Sequence, residues 1–148
     1  MKRILVVCLG NICRSPIGEE LIRHHAKLLN FPLEVDSAGT QGWHAGKSPD
    51  PRSMSIMRIH GLDISSQRSR ALKSTDFYDF DIILCMDHQN FIDASTYDQG
   101  TAQLALFVSE SDVPDPYYGG ESGFAAVYNM LDTAAKFWLK QWSENPIQ

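Results

Sequence analysis

The sequence predicts a three-layer α/β domain in which helices cover both faces of a four-stranded parallel sheet. Short apolar segments alternate along the chain with longer segments whose apolar residues recur at helical spacing. This alternation is typical of parallel strands joined by right-handed helical crossovers. The first apolar segment, "RILVVC" at 3–8, shows no polar alternation, as expected of a strand buried on both faces. A length of 148 residues and a hydrophobic content of 43% suit one core, so residues 1–148 are interpreted as a single domain.

Four segments are predicted to be strands, because each is an apolar run of strand length. The strands are expected at 3–8, 33–39, 80–87 and 102–108. In folds of this class, ligands bind beyond the carboxyl ends of the strands. Cys8 ends the first predicted strand and therefore lies at that edge of the sheet.

Helices are predicted between and after these strands. The first covers 15–29, with Ser15 as the N-cap and Pro16 in the first turn. A second helix follows Asp50 and Pro51, which repeat the combination of a capping residue and a proline. The helices predicted after the first one are 52–61, 88–95 and 121–142.

Composition and charge exclude several classes of protein. The net charge of −5 argues against a general nucleic-acid surface, and no segment approaches the roughly 18 consecutive apolar residues of a membrane span. The opening "MKRILVVC" is too short an apolar run for a signal peptide. Three cysteines, at 8, 13 and 85, are too few for a secreted disulfide framework. We therefore expect a cytoplasmic protein that binds neither nucleic acid nor membrane.

The loop after the first strand has the features of an oxyanion site. It runs from Cys8 through Gly10 and Asn11 to Arg14, and Gly and Asn accept left-handed backbone angles. Such a backbone can turn successive N–H groups toward one anion, the following helix N-terminus adds donors, and Arg14 offers a planar fork that matches two phosphate oxygens. We therefore predict a tetrahedral oxyanion above the Cys8 sulfur. The positive setting favours the thiolate, and Ser15 is expected to donate its hydroxyl hydrogen to it.

The loop after the fourth strand supplies a candidate general acid. Asp115 lies between two prolines in "SDVPDPYYGG" at 111–120, and this loop emerges at the same edge of the sheet as Cys8. Transfer of a phosphoryl group to sulfur requires protonation of the leaving group, and the negative charges of thiolate and phosphate favour the protonated form of Asp115. The rings of Trp43, Tyr117 and Tyr118 are expected to form a slot for a flat phenol ring.

These motifs resemble those of the low-molecular-weight protein tyrosine phosphatases. The resemblance lies in "VCLGNICRSP" together with "DPYYGG", supported by "DSAGT" at 36–40 and "CMDHQN" at 85–90, and it spans nearly the whole chain. It implies a flavodoxin-like strand order and an enzyme without metal or organic cofactor. It also implies that Cys8 forms a phosphocysteine intermediate, that Arg14 clamps the phosphoryl oxygens, and that Asp115 is first the acid and then the base.

The resemblance also implies roles for further residues and for partners. Residues that match the substrate-binding positions of the family are Leu9, Gly10, Asn11, Ile12, Cys13, Ser15, Trp43 and Tyr117. Ser37 and His60 match positions that brace Asn11 and Ser15. The implied partners are phosphotyrosine-bearing proteins, with a tyrosine kinase as one candidate, and phosphate or another oxyanion in the loop.

Three other functions stay open at this point. A thiol-dependent arsenate reductase shares this fold and anion loop, but it needs resolving cysteines later in the chain, where only Cys85 is present. A phosphoarginine phosphatase is a close relative with threonine in place of Ile12, and the aliphatic side chain suits an aryl ester better. A non-enzymatic anion-binding module would leave Asp115 without a role. The sequence therefore favours a phosphatase that acts on phosphotyrosine in proteins.

Cys13 lies five residues after Cys8 in the same turn. A reversible disulfide between the two would protect the nucleophile from over-oxidation, whereas the alternative is a small side chain packed beneath the loop. We favour the disulfide, and the protein is therefore expected to be redox-regulated.

Overall fold

The computed structural model describes residues 1–145 and contains a four-stranded, all-parallel sheet. The strand order is β2-β1-β3-β4, which confirms the predicted flavodoxin-like order. The strands are β1 (Lys2–Cys8), β2 (Leu33–Gly39), β3 (Ile82–Cys85) and β4 (Gln103–Leu106). The last two are shorter than the predicted 80–87 and 102–108, because the flanking apolar residues pack in the core beyond the ends of the strand pairing.

Helices follow each strand, as the alternation predicted. They are α1 (Arg14–Leu28), α2 (Pro51–Ile59), α3 (Asp76–Asp79), α4 (His88–Ser95) and α5 (Glu121–Glu144). Asp50 caps α2 by accepting a hydrogen bond from the N–H of Arg52, as predicted. The single turn of α3 was not predicted, because four residues are too few to show a helical period. No helix within residues 1–145 combines the length and the apolar character needed to cross a membrane.

The core occupies both faces of the sheet, because successive side chains of a strand point to opposite faces. Ile4 and Val6 pack on the face that α1, α2 and α5 cover. Leu5 and Val7 pack on the face that α3 and α4 cover. All four side chains are fully buried, and burial of each contributes about 1.5–3 kcal/mol. The three-layer arrangement therefore explains the uninterrupted apolar run of β1.

The parallel order brings four loops to one edge of the sheet. The loops that leave the carboxyl ends of β1, β2, β3 and β4 begin at residues 9, 40, 86 and 107. The first leads directly into α1, and the last carries Asp115. The loops that carry Arg14 and Asp115 therefore meet at the edge where Cys8 lies.

Candidate active site

The loop between β1 and α1 is held in place through its carbonyl groups. Five of its carbonyl oxygens accept hydrogen bonds of 2.8–3.1 Å from neighbouring segments. The N–H groups of Thr40, Gln41 and Asp50 bind the carbonyls of Cys8, Leu9 and Ile12, respectively. The hydroxyls of Ser69 and Ser53 bind those of Gly10 and Cys13. No hydrogen bond described within residues 1–145 uses the N–H groups of Leu9, Gly10, Ile12 or Cys13. The loop thus keeps a set of main-chain donors for an anion.

The Cys8 sulfur is buried and accepts two hydrogen bonds. Cys8 is 2% exposed. Its Sγ lies 3.0 Å from Ser15 Oγ and 3.3 Å from the N of Asn11. Because Asn11 Nδ2 already donates to Ser15 Oγ at 2.7 Å, the hydroxyl hydrogen of Ser15 is free to point to the sulfur. Both contacts, together with the N-terminus of α1, favour a negative charge on Cys8.

Asn11 fixes the shape of the loop. It adopts a left-handed conformation with φ of 58°, its Nδ2 donates to Ser37 Oγ at 2.9 Å, and its Oδ1 accepts the N–H of Arg70 at 3.0 Å. Ser37 in turn donates to Glu19 Oε1 at 2.7 Å, and Glu19 pairs with Arg23 at 2.6 Å. Burial raises the pKa of Glu19 even though Arg23 and Ser37 lower it. A buried polar network therefore stands behind the loop.

The Arg14 side chain is buried and held by three groups. Its Nη1 donates to Asp87 Oδ2 at 2.6 Å and to the Val113 carbonyl at 2.8 Å. Its Nη2 lies 3.6 Å from Asp115 Oδ2. Burial alone would lower the pKa of Arg14, but the charges of Cys8, Asp87 and Asp115 outweigh it and raise that pKa. Because Nη1 is fully occupied, Nε and Nη2 are the donors left for a bound oxyanion.

One cavity of about 270 Å³ joins these groups. The predicted residues that line it are Cys8, Leu9, Gly10, Ile12, Cys13, Arg14, Trp43, Asp115 and Tyr117. Asp115 is 35% exposed, and its Oδ1 accepts the N–H of Tyr117 at 3.0 Å. Tyr118, which was predicted as an aromatic wall, and His44, which was not predicted, complete the lining. The arrangement can hold a tetrahedral anion next to a nucleophilic sulfur, an acid and a set of aromatic rings.

Comparison with known proteins decides the family. A family model described as "Low molecular weight phosphotyrosine protein phosphatase" matches residues 3–146. The chain belongs to the low-molecular-weight phosphotyrosine protein phosphatase family. The pig (Sus scrofa) protein of that name is 36% identical and aligns over 95% of each chain. The chain is therefore a cysteine-dependent phosphotyrosine protein phosphatase, and phosphoproteins are its substrates.

Solved structures support the same assignment. A protein tyrosine phosphatase from Entamoeba histolytica superposes on this phosphatase with a TM-score of 0.92, at 32% identity, over 99% of each chain. A second similar structure, "DARP, drosophila arginine phosphatase", has a TM-score of 0.88 at 32% identity, and covers 96% of this chain and 98% of its own.

Two sequence-based expectations differ from the structure. Ser15 is not the N-cap of α1, because the helix begins at Arg14 and no side chain caps it; the Ser15 hydroxyl binds the sulfur instead. His60 is exposed at the end of α2, and its ring stacks on Tyr128 at a centroid distance of 3.8 Å. The structure therefore does not bring His60 to Asn11 and Ser15, whereas Ser37 and the N–H of Arg70 both bind the Asn11 side chain.

Several residues of this phosphatase were missed by sequence reasoning. Asp87, which holds Arg14, follows β3 directly at the carboxyl edge of the sheet, and that position was an available signal. Glu19 and Asp50 act through burial and pairing, which a single sequence does not reveal. The Val113 carbonyl, which also holds Arg14, is a main-chain group that every residue type carries, so the sequence gives no signal for it.

The other two cysteines of the phosphatase are poor nucleophiles. Burial, together with the nearby charges of Asp50, Cys8 and Asp115, raises the pKa of Cys13 far above neutral pH. Burial raises the pKa of Cys85 to about 12. Since the thiolate is the nucleophilic form, Cys8 is the candidate among the three. Within residues 1–145, no group of three or more His, Cys, Asp or Glu side chains is arranged to hold a metal ion.

Proposed function

We propose that this phosphatase hydrolyses phosphotyrosine in two steps, through a phosphocysteine formed on Cys8. The observation that carries the proposal is the convergence of three groups on one cavity: the buried Cys8 sulfur, the buried Arg14 guanidinium and the partly exposed Asp115 carboxyl group. Trp43 and Tyr117 line the same cavity, and aromatic walls favour a flat phenol ring over an aliphatic ester.

In the first step the Cys8 thiolate attacks phosphorus. The S–P bond forms, the P–O bond to the phenol breaks, and protonated Asp115 gives its proton to the departing oxygen. The free N–H groups of Leu9, Gly10, Ile12 and Cys13 and the Nε and Nη2 groups of Arg14 bind the phosphoryl oxygens. They stabilise the charge that these oxygens carry in the transition state.

In the second step a water molecule attacks the phosphocysteine. The Asp115 carboxylate takes a proton from the water, the new P–O bond forms, and the S–P bond breaks. The electron pair returns to sulfur, where the Ser15 hydroxyl and the Asn11 N–H stabilise the thiolate. Inorganic phosphate then leaves the loop.

The test compares two cysteine variants with p-nitrophenyl phosphate as substrate and no added metal. Cys8→Ser should lower kcat by at least about a thousandfold and should still bind vanadate, because the main-chain cradle remains. Cys85→Ala, at a buried cysteine away from the cavity, should keep its turnover. Rapid acid quench with radiolabelled substrate should trap phosphate on the wild-type chain but not on Cys8→Ser. Normal turnover by Cys8→Ser would refute the mechanism.

A second candidate activity is phosphoarginine hydrolysis, because a similar structure bears the name of an arginine phosphatase. Against it stands Ile12, whose aliphatic side chain lines the cavity at the position where the family resemblance implies threonine in phosphoarginine phosphatases. Rates measured with matched phosphotyrosine, phosphoserine and phosphoarginine peptides separate the activities. The phosphotyrosine peptide should be fastest, and Ile12→Thr should raise the relative rate with phosphoarginine. A wild-type preference for phosphoarginine would reverse the assignment.

Arsenate reduction is disfavoured by the cysteines. A relay needs accessible resolving thiols after the nucleophile, and the later part of the sequence offers Cys85 alone. Cys85 is fully buried in β3. Addition of arsenate and thioredoxin should therefore give no arsenite.

The proposal also covers the domain organisation, the cellular compartment and the partner of the enzyme. Residues 1–148 would act as one phosphatase unit, in the reducing cytoplasm that three free thiols suit. A tyrosine kinase that carries phosphotyrosine is a suitable partner. Capture of kinase peptides by Cys8→Ser, which binds without turnover, would test that partner.

A further inference from the structure

The Arg52 side chain bridges two loops of the active site. Its Nε and Nη2 hold the Asp50 carboxylate at 3.0 Å each. The same guanidinium donates to the main-chain oxygens of Tyr117, at 2.9 Å, and Gly119, at 3.1 Å. It also lies over the rings of Tyr117 and Phe124, 5.7 and 4.6 Å from their centroids. One side chain thus connects the N-terminus of α2 to the loop that carries Asp115.

Asp50, at one end of this bridge, is fastened to the phosphate loop. Its N–H donates to the Ile12 carbonyl at 2.8 Å, and the neighbouring Cys13 thiol helps to lower the pKa of its carboxyl group. Burial would raise the pKa of Asp50, but its hydrogen bonds with Arg52 outweigh this effect and lower the pKa overall. The carboxylate therefore stays charged and offers Arg52 a fixed bidentate partner.

The other end of the bridge is a segment with few anchors. Residues 115–120 bond mainly within themselves, through Tyr117 N–H to Asp115 and Gly119 N–H to Pro116. At its C-terminal end the segment joins α5, where the Gly123 N–H donates to the Gly120 carbonyl at 3.1 Å. Among the polar contacts described for residues 1–145, those that tie it to elements further away in sequence are the two bonds from Arg52 and the 3.6 Å pair between Arg14 and Asp115. Arg52 therefore supplies the two hydrogen bonds that hold the middle of this segment, between the anchored Val113 and the start of α5.

We propose that Arg52 is a positioning residue that fixes Asp115 and the Tyr117 ring relative to the phosphate loop. The proposal rests on the proposed function of Asp115. Arg52 is not among the residues that line the cavity, so it acts through the loop it holds. A general acid contributes about 10²–10⁴-fold, and a misplacement of about 1 Å can cost about 10²-fold. Release of this loop should therefore impair proton donation and leave the phosphate cradle intact.

The experiment measures how rate depends on the leaving group. Aryl phosphates are compared from p-nitrophenol, which leaves readily, to phenol, whose pKa is near the value of about 10 for tyrosine. Arg52→Met should lose about tenfold or more in kcat with phenyl phosphate and much less with p-nitrophenyl phosphate. Inhibition by inorganic phosphate should stay within about twofold. Arg58→Met, an exposed arginine on the same helix, serves as the matched control and should behave as wild type.

The Arg52→Lys variant tests whether the hydrogen-bonded bridge or only the positive charge of Arg52 is required. Lysine keeps a cation beside Asp50 but lacks the planar fork that reaches the carboxylate and two carbonyls together. Arg52→Lys should therefore show the same leaving-group dependence. Hydrogen exchange of residues 115–120 should be faster in both Arg52 variants than in the Arg58 control, which reports on the loop independently of activity.

Three outcomes are distinguishable. An Asp115→Asn variant without leaving-group dependence would refute the proposed role of Asp115 itself. A steep dependence in Asp115→Asn together with wild-type behaviour in both Arg52 variants would overturn the positioning role. An equal loss for all leaving groups, or weaker phosphate inhibition, would also overturn it, because Arg52 would then act on the phosphate loop.

Discussion

Replacement of Asn11 tests how the phosphate loop is held. The Asn11 side chain makes three hydrogen bonds, to Ser15, Ser37 and the N–H of Arg70, and each contributes about 1 kcal/mol net. Asn11→Gly removes the bonds but accepts the left-handed backbone, so we expect a loss of about 3 kcal/mol in the free energy of unfolding. Asn11→Ala adds about 1 kcal/mol of backbone strain. Turnover should fall at least about tenfold in both variants, because Ser15 loses its orientation.

Urea unfolding followed by circular dichroism measures these losses, and Asn30 provides a matched control. Asn30 is also left-handed, with φ of 52°, but is exposed at the end of α1. Asn30→Gly should be close to neutral, and Asn30→Ala should cost about 1 kcal/mol. If Asn11→Gly were as stable and as active as wild type, the side-chain network would contribute nothing and the reasoning would fail. Equal free energies of unfolding for Asn11→Gly and Asn11→Ala would refute the expected backbone strain of alanine at this left-handed position.

Two further predictions concern pH and oxidation. Burial raises the pKa of Asp132, but hydrogen bonds from His25 and Lys136 outweigh this effect and lower the pKa. The Asp132 carboxylate therefore stabilises the folded protein at pH values above its unfolded-state pKa of about 3.9. This stabilisation is lost as the pH falls through the pKa of Asp132 in the folded state. Asp132→Asn should therefore flatten the decline of unfolding free energy below about pH 4; an unchanged slope would contradict this. Mild peroxide should abolish activity through a bond between Cys8 and Cys13, and dithiothreitol should restore it. Equal recovery of Cys13→Ser would show that Cys13 gives no protection.

Elements with a strong local signal were predicted well. The apolar run of β1, the Asp50–Pro51 start of α2 and the long period of α5 each follow from which residues stand at which spacing, and that information is local. The loop from Cys8 to Arg14 was predicted in part, because Asn11 adopts the expected left-handed backbone whereas Gly10 does not. By contrast, α3 is one turn long and carries no period.

The sequence by itself determined the parallel sheet, the edge of the sheet at which the cavity lies, and most of the residues that line it. His44 was missed, and the predicted substrate-binding residues Asn11 and Ser15 are not part of the lining. Only the tertiary structure decided which residues hold the Arg14 side chain and the loop of Asp115 in place. Asp87 and the Val113 carbonyl hold Arg14 across 73 and 99 residues of sequence, and Arg52 reaches the acid loop across 65. The ring of His60 stacks on Tyr128 instead of bracing Asn11 and Ser15. The physical reason is that burial and pairing depend on which distant segments meet in the folded chain, whereas backbone preference and hydrophobic period depend on neighbours in sequence.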